Sequence, residues 1–207
     1  ALHIAVTTRR EDVRDALISR SGEPLARLPH GAKVGTSSLR RRAQLLAARP
    51  DLEILPLRGN LDTRLRKLDE NEMEAIILAA AGLHRMGLEA RITECLAYDV
   101  MLPAIGQGAL GIELRREDAR VHALTKLLDH PDTAVAVVAE RALLARLEGG
   151  CQVPIAAMGR LIDGRLRLDA LVADLDGRRI IRGHVEGEPG EAASLGLALA
   201  EELLSQG

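Results

Sequence analysis

Three consecutive arginines, Arg40, Arg41 and Arg42, follow the stretch Gly-Thr-Ser-Ser-Leu. Ser37 or Ser38 can cap the helix that the following residues predict, so the arginines lie in its first turn. Exposed cations at a helix N-terminus are unfavourable by roughly 0.3–1 kcal/mol each. The arrangement becomes favourable if an anion binds there, because backbone amides and guanidinium groups then converge on it. The alternative is that the arginines extend into solvent and the helix tolerates the cost.

Two further predicted turns also carry arginine. LRGNLDTRL places Arg58 at a strand end and Arg64 at the start of the next helix, and AAAGLHRMGL places Arg85 after a third strand. The carboxyl ends of parallel strands meet at one edge of a sheet, which is where ligands bind. Several arginines at one edge indicate a polyanion with dispersed negative groups. No phosphate-binding P-loop motif is present.

Cys151 lies in the stretch Gly-Gly-Cys-Gln-Val-Pro, just after a predicted helix. It has no neighbouring Cys or His at zinc-ligand spacing, and a disulfide with Cys95 does not fit a reducing compartment. Its position after a helix C-terminus argues against a catalytic thiolate. Two interpretations stay open at this point: a buried structural thiol, and a thiol that reacts once and remains modified.

The composition excludes several classes of protein. Of the 207 residues 47% are hydrophobic, the formal net charge is -2, and Tyr98 is the only aromatic residue. This is a globular composition with no general basis for binding nucleic acid or membranes. The apolar runs are too short to span a bilayer, no signal peptide is visible, and no metal site is expected. We expect a cytoplasmic location. Because the chain starts at Ala1 inside a predicted strand, it looks like a fragment that begins within a fold.

From residue 33 strands and helices alternate, which is typical of an α/β domain with a mostly parallel sheet. Residues 11–19 are predicted to be a polar connection, and a helix is predicted over 118–129 with its apolar residues on one face. After residue 151, Asp-Gly turns at 163–164 and 176–177 predict a three-stranded antiparallel sheet, followed by a closing helix. The C-terminal part is therefore predicted to be a small α+β domain.

Six stretches of the chain, in order, resemble the porphobilinogen deaminase (hydroxymethylbilane synthase) family. They are GTSSLRRRAQL, LRGNLDTRLRKL, AIILAAAGLHRMGL, LPAIGQGALGIE, AERALLARLEGGCQVPIA and LAEELL. The resemblance implies a transferase of porphyrin and haem biosynthesis that joins four porphobilinogen molecules head to tail, with release of ammonia, into linear hydroxymethylbilane.

The resemblance also implies the site. A dipyrromethane cofactor is held by a thioether to Cys151, and its acetate and propionate groups are the polyanion that the arginines suggest. By matching motif, the residues that bind this cofactor and the growing chain are Thr36, Ser38, Arg40, Arg41, Arg58, Arg64, Arg85 and Gln107. Arg42 has no matching role and is expected at the surface. The substrate partner is porphobilinogen.

The fold implied by the resemblance has two periplasmic-binding-protein-like α/β domains and a third domain with the cofactor loop. Residues 9–104 match domain two and 129–207 match domain three, whereas 1–8 and 105–128 match remnants of domain one. The segments LHIAVTT and QGALGIELR are then expected to be disordered, swapped or packed against a neighbour. The family is monomeric, and association through these remnants is left open.

Two other classes of protein remain as alternatives. A polyanion solute-binding module of the periplasmic-binding-protein type would share the α/β fold and the arginine-lined cleft, but it would need no cysteine on a further domain. A regulatory effector-binding domain is the other alternative. A covalent group on Cys151 would distinguish the enzyme family from both.

We predict that these 207 residues alone form neither ammonia nor bilane from porphobilinogen. The family's catalytic aspartate belongs to domain one, and Asp62 and Asp99 lie in different sequence contexts. Loss of a general acid–base group commonly costs about 10²–10⁴-fold in rate. Product formation by the purified chain is the measurement, and ordinary turnover would contradict the prediction.

Overall fold

The computed structural model describes residues 1–147 and 153–207. Within them a five-stranded sheet has the order β4-β3-β5-β2-β6. Its strands are β2 (Asp15–Ser19), β3 (Lys33–Gly35), β4 (Glu53–Leu55), β5 (Ala75–Ala79) and β6 (Glu94–Cys95). Strand β3 runs parallel to β4 and β5, whereas β2 runs antiparallel to β5 and β6. The sheet is therefore mixed, and the prediction of a mostly parallel sheet is wrong for its β2–β6 side.

Strand β2 corrects the prediction that residues 11–19 form a polar connection. Ala16, Leu17 and Ile18 are at most 2% exposed, and they pack into the cores on the two faces of the sheet. The charged residues just before the strand made the whole segment look polar, although it contains a short apolar run that is buried on both faces of the sheet. Such a run gives neither strand alternation nor helical periodicity.

Three helices accompany the parallel strands: α1 (Leu39–Ala48), α2 (Leu61–Asp69) and α3 (Ala80–Arg85). The side chain of Ser38 accepts the Arg41 N–H at the start of α1, and Asn60 accepts the Thr63 N–H at the start of α2. These caps satisfy backbone donors that the first helical turn leaves unpaired. Both helices therefore begin directly after the turns that follow β3 and β4.

A three-stranded antiparallel sheet forms the C-terminal part, as the sequence predicts. It has the order β10-β9-β8, with β8 (Ile155–Ile162), β9 (Arg165–Ala173) and β10 (Ile180–Gly187). Helices α5 (Pro131–Arg146) and α6 (Ala192–Ser205) cover one face of this sheet. On the other face, Met158 and Leu171 pack against Ala43 of α1.

Gly177 brings a turn of this sheet onto α1. Its φ is +72°, and a Cβ atom there would collide with the backbone oxygen of Ala43. Both the left-handed backbone and the close approach favour glycine at this position. The three-stranded sheet thus rests directly on the helix that carries Arg40 and Arg41.

Strands β1 (Leu2–Thr7) and β7 (Gly111–Arg115) pair with each other in an antiparallel two-stranded sheet. This corrects the expectation that these segments are disordered, whereas their swapping between chains or packing against a neighbour stays a prediction. The predicted helix over 118–129 is α4 (Ala119–Thr125) followed by a 3-10 turn at Lys126–Leu128. Its predicted apolar face is not packed, since Leu124, Leu127 and Leu128 are 53–92% exposed. The domain boundaries at 8/9, 104/105 and 128/129 stay a prediction.

Further 3-10 turns lie at Leu25–Arg27, Glu89–Arg91 and Pro189–Glu191. Of the helices in the described parts of the chain, none combines the length and apolar character needed to cross a membrane.

A buried ion pair connects the segment after β1 to the C-terminal part. Arg10 donates to both carboxylate oxygens of Glu140, at 2.5 and 3.1 Å, and the Glu140 side chain is fully buried. The same carboxylate accepts the backbone N–H groups of Gly106 and Gly159. One carboxylate on α5 therefore holds three other segments of the chain.

We predict that Glu140→Ala lowers the free energy of unfolding by about 3–5 kcal/mol, because it leaves a buried guanidinium and two amides without their acceptor. Urea unfolding followed by circular dichroism measures the change. The matched control is Glu23→Ala, which removes an exposed pair with Arg27 at 3.7 Å and should cost at most about 1 kcal/mol. Equal effects of the two substitutions would contradict the prediction.

Candidate functional site

Asp15 forms a buried double ion pair with Arg40 and Arg41. Because β2 is antiparallel to β5, its first residue pairs with Ala79 at the carboxyl end of β5. Helix α1 starts at this same edge, after β3. Arg40 Nη1 lies 2.6 Å from Asp15 Oδ2, and Arg41 Nη2 lies 2.7 Å from Oδ1. Both guanidinium groups are therefore directed toward the sheet.

Gln107 completes this cluster. Its amide nitrogen donates to Asp15 Oδ1 at 3.0 Å and to the Val13 carbonyl at 2.7 Å, and its oxygen accepts from Arg40 at 3.4 Å. Arg40 also donates to the Leu102 carbonyl at 2.7 Å. The segment around residues 102–107 is thus bonded to the same carboxylate as the first turn of α1.

The cluster contains two cations and one carboxylate. Burial acts to raise the pKa of Asp15, but the charges and hydrogen bonds of Arg41 and Arg40 outweigh it and the pKa is lowered. Burial lowers the pKa of Arg40, and the attraction of Asp15 does not fully offset this. Both pKa shifts agree with the ratio of charges in the cluster. Asp15 is stabilised as an anion by two cations, whereas Arg40 shares one carboxylate with Arg41. Guanidinium groups stay protonated in proteins, and the lowered pKa of Asp15 keeps its carboxyl group ionised at neutral pH. The buried cluster therefore carries one excess positive charge.

Arg64 adds a further cation beside this cluster. It lies in α2, and its Nε donates to the Gly59 carbonyl at 2.8 Å. Burial lowers the pKa of Arg64, and the positive charge of Arg41 lowers it further. No carboxylate of the described residues forms an ion pair with Arg64. The like charges raise the energy of the unliganded site and favour an anion.

Arg58 and Arg85 lie at the outer rim of the same sheet edge. Arg85 is the last residue of α3 and donates to the Gly108 carbonyl at 2.9 Å, next to Gln107. Arg58 is exposed and lines a pocket of about 280 Å³ together with Thr36 and Ser38. The structure thus places these two arginines at the edge where the motifs predicted them.

The predicted site residues fall into three groups. Direct contacts bring together Arg40, Arg41 and Gln107, with Arg64 alongside; Arg85 lies next to the Gln107 segment; Arg58 shares a pocket with Thr36 and Ser38. Cys151 lies outside the described residues, as does its predicted modification.

Asp15 is the residue that the sequence interpretation missed. The sequence did contain a signal for it: an aspartate lies directly before the apolar run Ala-Leu-Ile. In a chain with several arginines predicted at one sheet edge, such an aspartate could have been predicted to pair with them. Among residues 1–147 and 153–207 no group of three or more His, Cys, Asp or Glu side chains is placed to hold a metal ion.

Two family models match the chain. Residues 1–123 match "Porphobilinogen deaminase, dipyromethane cofactor binding domain", and residues 134–205 match "Porphobilinogen deaminase, C-terminal domain". Similar proteins named porphobilinogen deaminase occur in Pelotomaculum thermopropionicum (52% identical over 206 residues, covering 100% of this chain and 66% of the relative) and Desulforudis audaxviator (53% over 206 residues, 100% and 67%). The protein of that name from Pelobacter propionicus is 55% identical over 200 residues, covering 97% of this chain and 64% of the relative. The chain therefore spans about two thirds of the length of these curated relatives.

We predict that Asp15→Asn lowers the free energy of unfolding by about 3–5 kcal/mol at neutral pH, because it leaves two buried guanidinium groups without a carboxylate. The lowered pKa of Asp15 in the folded state gives stability that is complete above the unfolded value of about 3.9. This stability is lost as the pH falls through the folded pKa. The gap between the unaltered chain and Asp15→Asn should therefore narrow below about pH 4.

Urea unfolding at a series of pH values measures this gap. Asp69→Asn is the matched control, because Asp69 pairs with Arg91 at the surface and its loss should cost at most about 1 kcal/mol. A gap between the unaltered chain and Asp15→Asn that stays constant from pH 7 to pH 3 would contradict the prediction.

Proposed function

Because this chain belongs to the porphobilinogen deaminase family, we propose that it supplies the carboxylate-binding part of an enzyme that joins four porphobilinogen molecules into hydroxymethylbilane. The observation that carries the proposal is the excess of positive charge at one sheet edge, where Arg40 and Arg41 share the single carboxylate of Asp15 and Arg64 adds a third cation beside them. Each pyrrole of the substrate carries an acetate and a propionate. An oligomer of such pyrroles offers the dispersed negative groups that this edge lacks.

The arginines bind and orient the growing chain. Arg58 and Arg85 lie at the rim, where a carboxylate reaches them without displacing an internal ion pair. Arg64 is partly buried beside Arg41, so an anion near it relieves a repulsion between like charges. Guanidinium groups suit this role because they hold carboxylates with two parallel hydrogen bonds and remain charged at physiological pH.

Cys151 would hold a dipyrromethane through its sulfur, and this group would supply the primer to which further pyrroles are added. The described residues fit such a group, because its carboxylates would meet a cluster with one excess positive charge and the exposed guanidinium groups of Arg58 and Arg85. The hydroxyl groups of Thr36 and Ser38 and the amide of Gln107 add neutral donors at the same edge.

Asp15 is a positioning residue in this proposal. Its two guanidinium partners lower its pKa and occupy its oxygens, so it is a poor source of a proton for the departing ammonia. We assign it the task of holding Arg40 and Arg41 at the sheet edge. Proton transfer is left to groups outside this cluster.

The division of the chain into domains is part of the same proposal. We assign residues 9–104 to a periplasmic-binding-protein-like domain and 129–207 to the domain with the cofactor loop, with 1–8 and 105–128 completing a further domain. The five-stranded sheet within residues 15–95 and the three-stranded sheet within 155–187 support this division. A cytoplasmic, monomeric enzyme is proposed by resemblance to the family.

The test is a chimera in which these residues replace the matching segment of the Pelotomaculum thermopropionicum relative. We expect the chimera to form hydroxymethylbilane from porphobilinogen and to carry the added mass of a dipyrromethane on the peptide that contains Cys151. Cys151→Ser should abolish both the added mass and the product. Cys95→Ser is the control and should keep both, because Cys95 packs against the apolar cluster that contains Ala16 and Ile18 and forms no hydrogen bond with a predicted site residue of the described chain.

Intact-mass spectrometry with peptide mapping gives a readout besides activity. A folded chimera with an unmodified Cys151 and no product would overturn the proposed function. A bare chain that still binds polycarboxylates would instead favour the solute-binding module.

A further inference from the structure

We propose that Arg42 is a further carboxylate-binding residue, which with Arg58 holds an acetate or propionate group on the opposite side of α1 from Asp15. This inference rests on the proposed function. It differs from the sequence-based expectation that Arg42 is simply a surface residue.

The three consecutive arginines separate onto two sides of α1. Arg40 and Arg41 are directed inward to Asp15 and are 6% and 8% exposed. Arg42 is one position further along the helix and is exposed. Residues three apart lie on the same face of a helix, and Leu39 and Arg42 both line the pocket of about 280 Å³ that also contains Arg58.

The charges in this pocket, which we call the outer pocket, are not balanced. Its lining residues are Thr36, Ser37, Ser38, Leu39, Arg42, Ile54, Pro56 and Arg58, and none of them is acidic. Neither Arg42 nor Arg58 forms an ion pair with any carboxylate of the described residues. Two guanidinium groups thus face one concavity without a counter-charge, so an anion between them is favourable.

The hydroxyl groups of the outer pocket also have capacity to donate. Thr36 is 6% exposed; its Oγ1 accepts the Ser38 N–H at 3.2 Å, and no described residue accepts its hydroxyl hydrogen. Ser38 Oγ accepts the Arg41 N–H at 3.4 Å and likewise has no acceptor of its own within the described chain. Ser37 differs, because it both donates to and accepts from the backbone of Leu57 at 3.0 Å.

The size of the outer pocket limits what it holds. Its volume lies just below the range of roughly 300–1,000 Å³ typical of small-molecule sites. One pyrrole with its two carboxylate side chains fits this scale, whereas a linear tetrapyrrole does not. We therefore assign to the outer pocket one unit of the oligomer, bound separately from the unit near Arg40 and Arg41.

The test is calorimetric titration of the 207-residue chain with a synthetic dipyrromethane that carries two acetates and two propionates. Arg42→Ala and Arg58→Ala should each weaken binding by about threefold to tenfold, as expected for loss of one charge-assisted contact at a partly exposed site. If both residues hold the same carboxylate, the double variant should lose less than the product of the two single effects.

Arg20→Ala is the matched control. It removes the same charge from an exposed position just after β2, at the opposite edge of the same sheet, and should leave the affinity unchanged. Thermal unfolding of each variant should coincide with that of the unaltered chain, because neither Arg42 nor Arg58 has a buried partner among the described residues.

The possible results separate the two proposals. One result is that Arg58→Ala weakens binding whereas Arg42→Ala has no larger effect than the control Arg20→Ala. This result overturns the role of Arg42 and does not affect the proposed function. Complete absence of binding by the unaltered chain overturns the outer pocket, whereas the proposed function is judged by the chimera.

Discussion

The sharing of one buried carboxylate by two guanidinium groups is the constraint on which the rest of the site depends. Asp15 fixes Arg40 and Arg41 at the first turn of α1, and through Gln107 it also fixes the segment that leads to β7. Buried charges are tolerated only when they are paired and hydrogen-bonded. The geometry of the sheet edge is therefore set by the ion pairs as much as by apolar packing.

The unequal stoichiometry of this cluster links structure to function. A second carboxylate in place of Gln107 would neutralise the site and remove its attraction for an anionic ligand. The neutral amide of Gln107 forms hydrogen bonds to Asp15 and Arg40 and leaves one positive charge of the cluster unneutralised. Arg64, Arg58 and Arg85 add further positive charge at this sheet edge, which favours the polycarboxylate that we propose as its ligand.

The sequence predicted the parts of the site that depend on local chain chemistry. The turn-and-cap pattern placed Ser38 and the arginines at the start of α1, and the Asp-Gly turns placed the three-stranded sheet. It did not predict β2, because five residues buried on both faces carry no periodicity. It therefore also missed Asp15, whose position depends on the antiparallel direction of that strand. The inward side chains of Arg40 and Arg41, and the outward one of Arg42, follow from tertiary partners that no local pattern contains.

Gly177 has a consequence for how the molecule can move. The turn that contains it lies against the backbone of α1, and Met158 and Leu171 pack on Ala43 of the same helix. If the three-stranded sheet slid along α1, the contact between the two backbones would have to break. No flexible side chain lies between them to adjust to the displacement. The arginine-bearing helix and this sheet therefore form one rigid platform. If the proposed oligomer lengthens by successive additions, the room for each new unit must come from translocation of the oligomer or displacement of other segments, with the platform as the stationary frame.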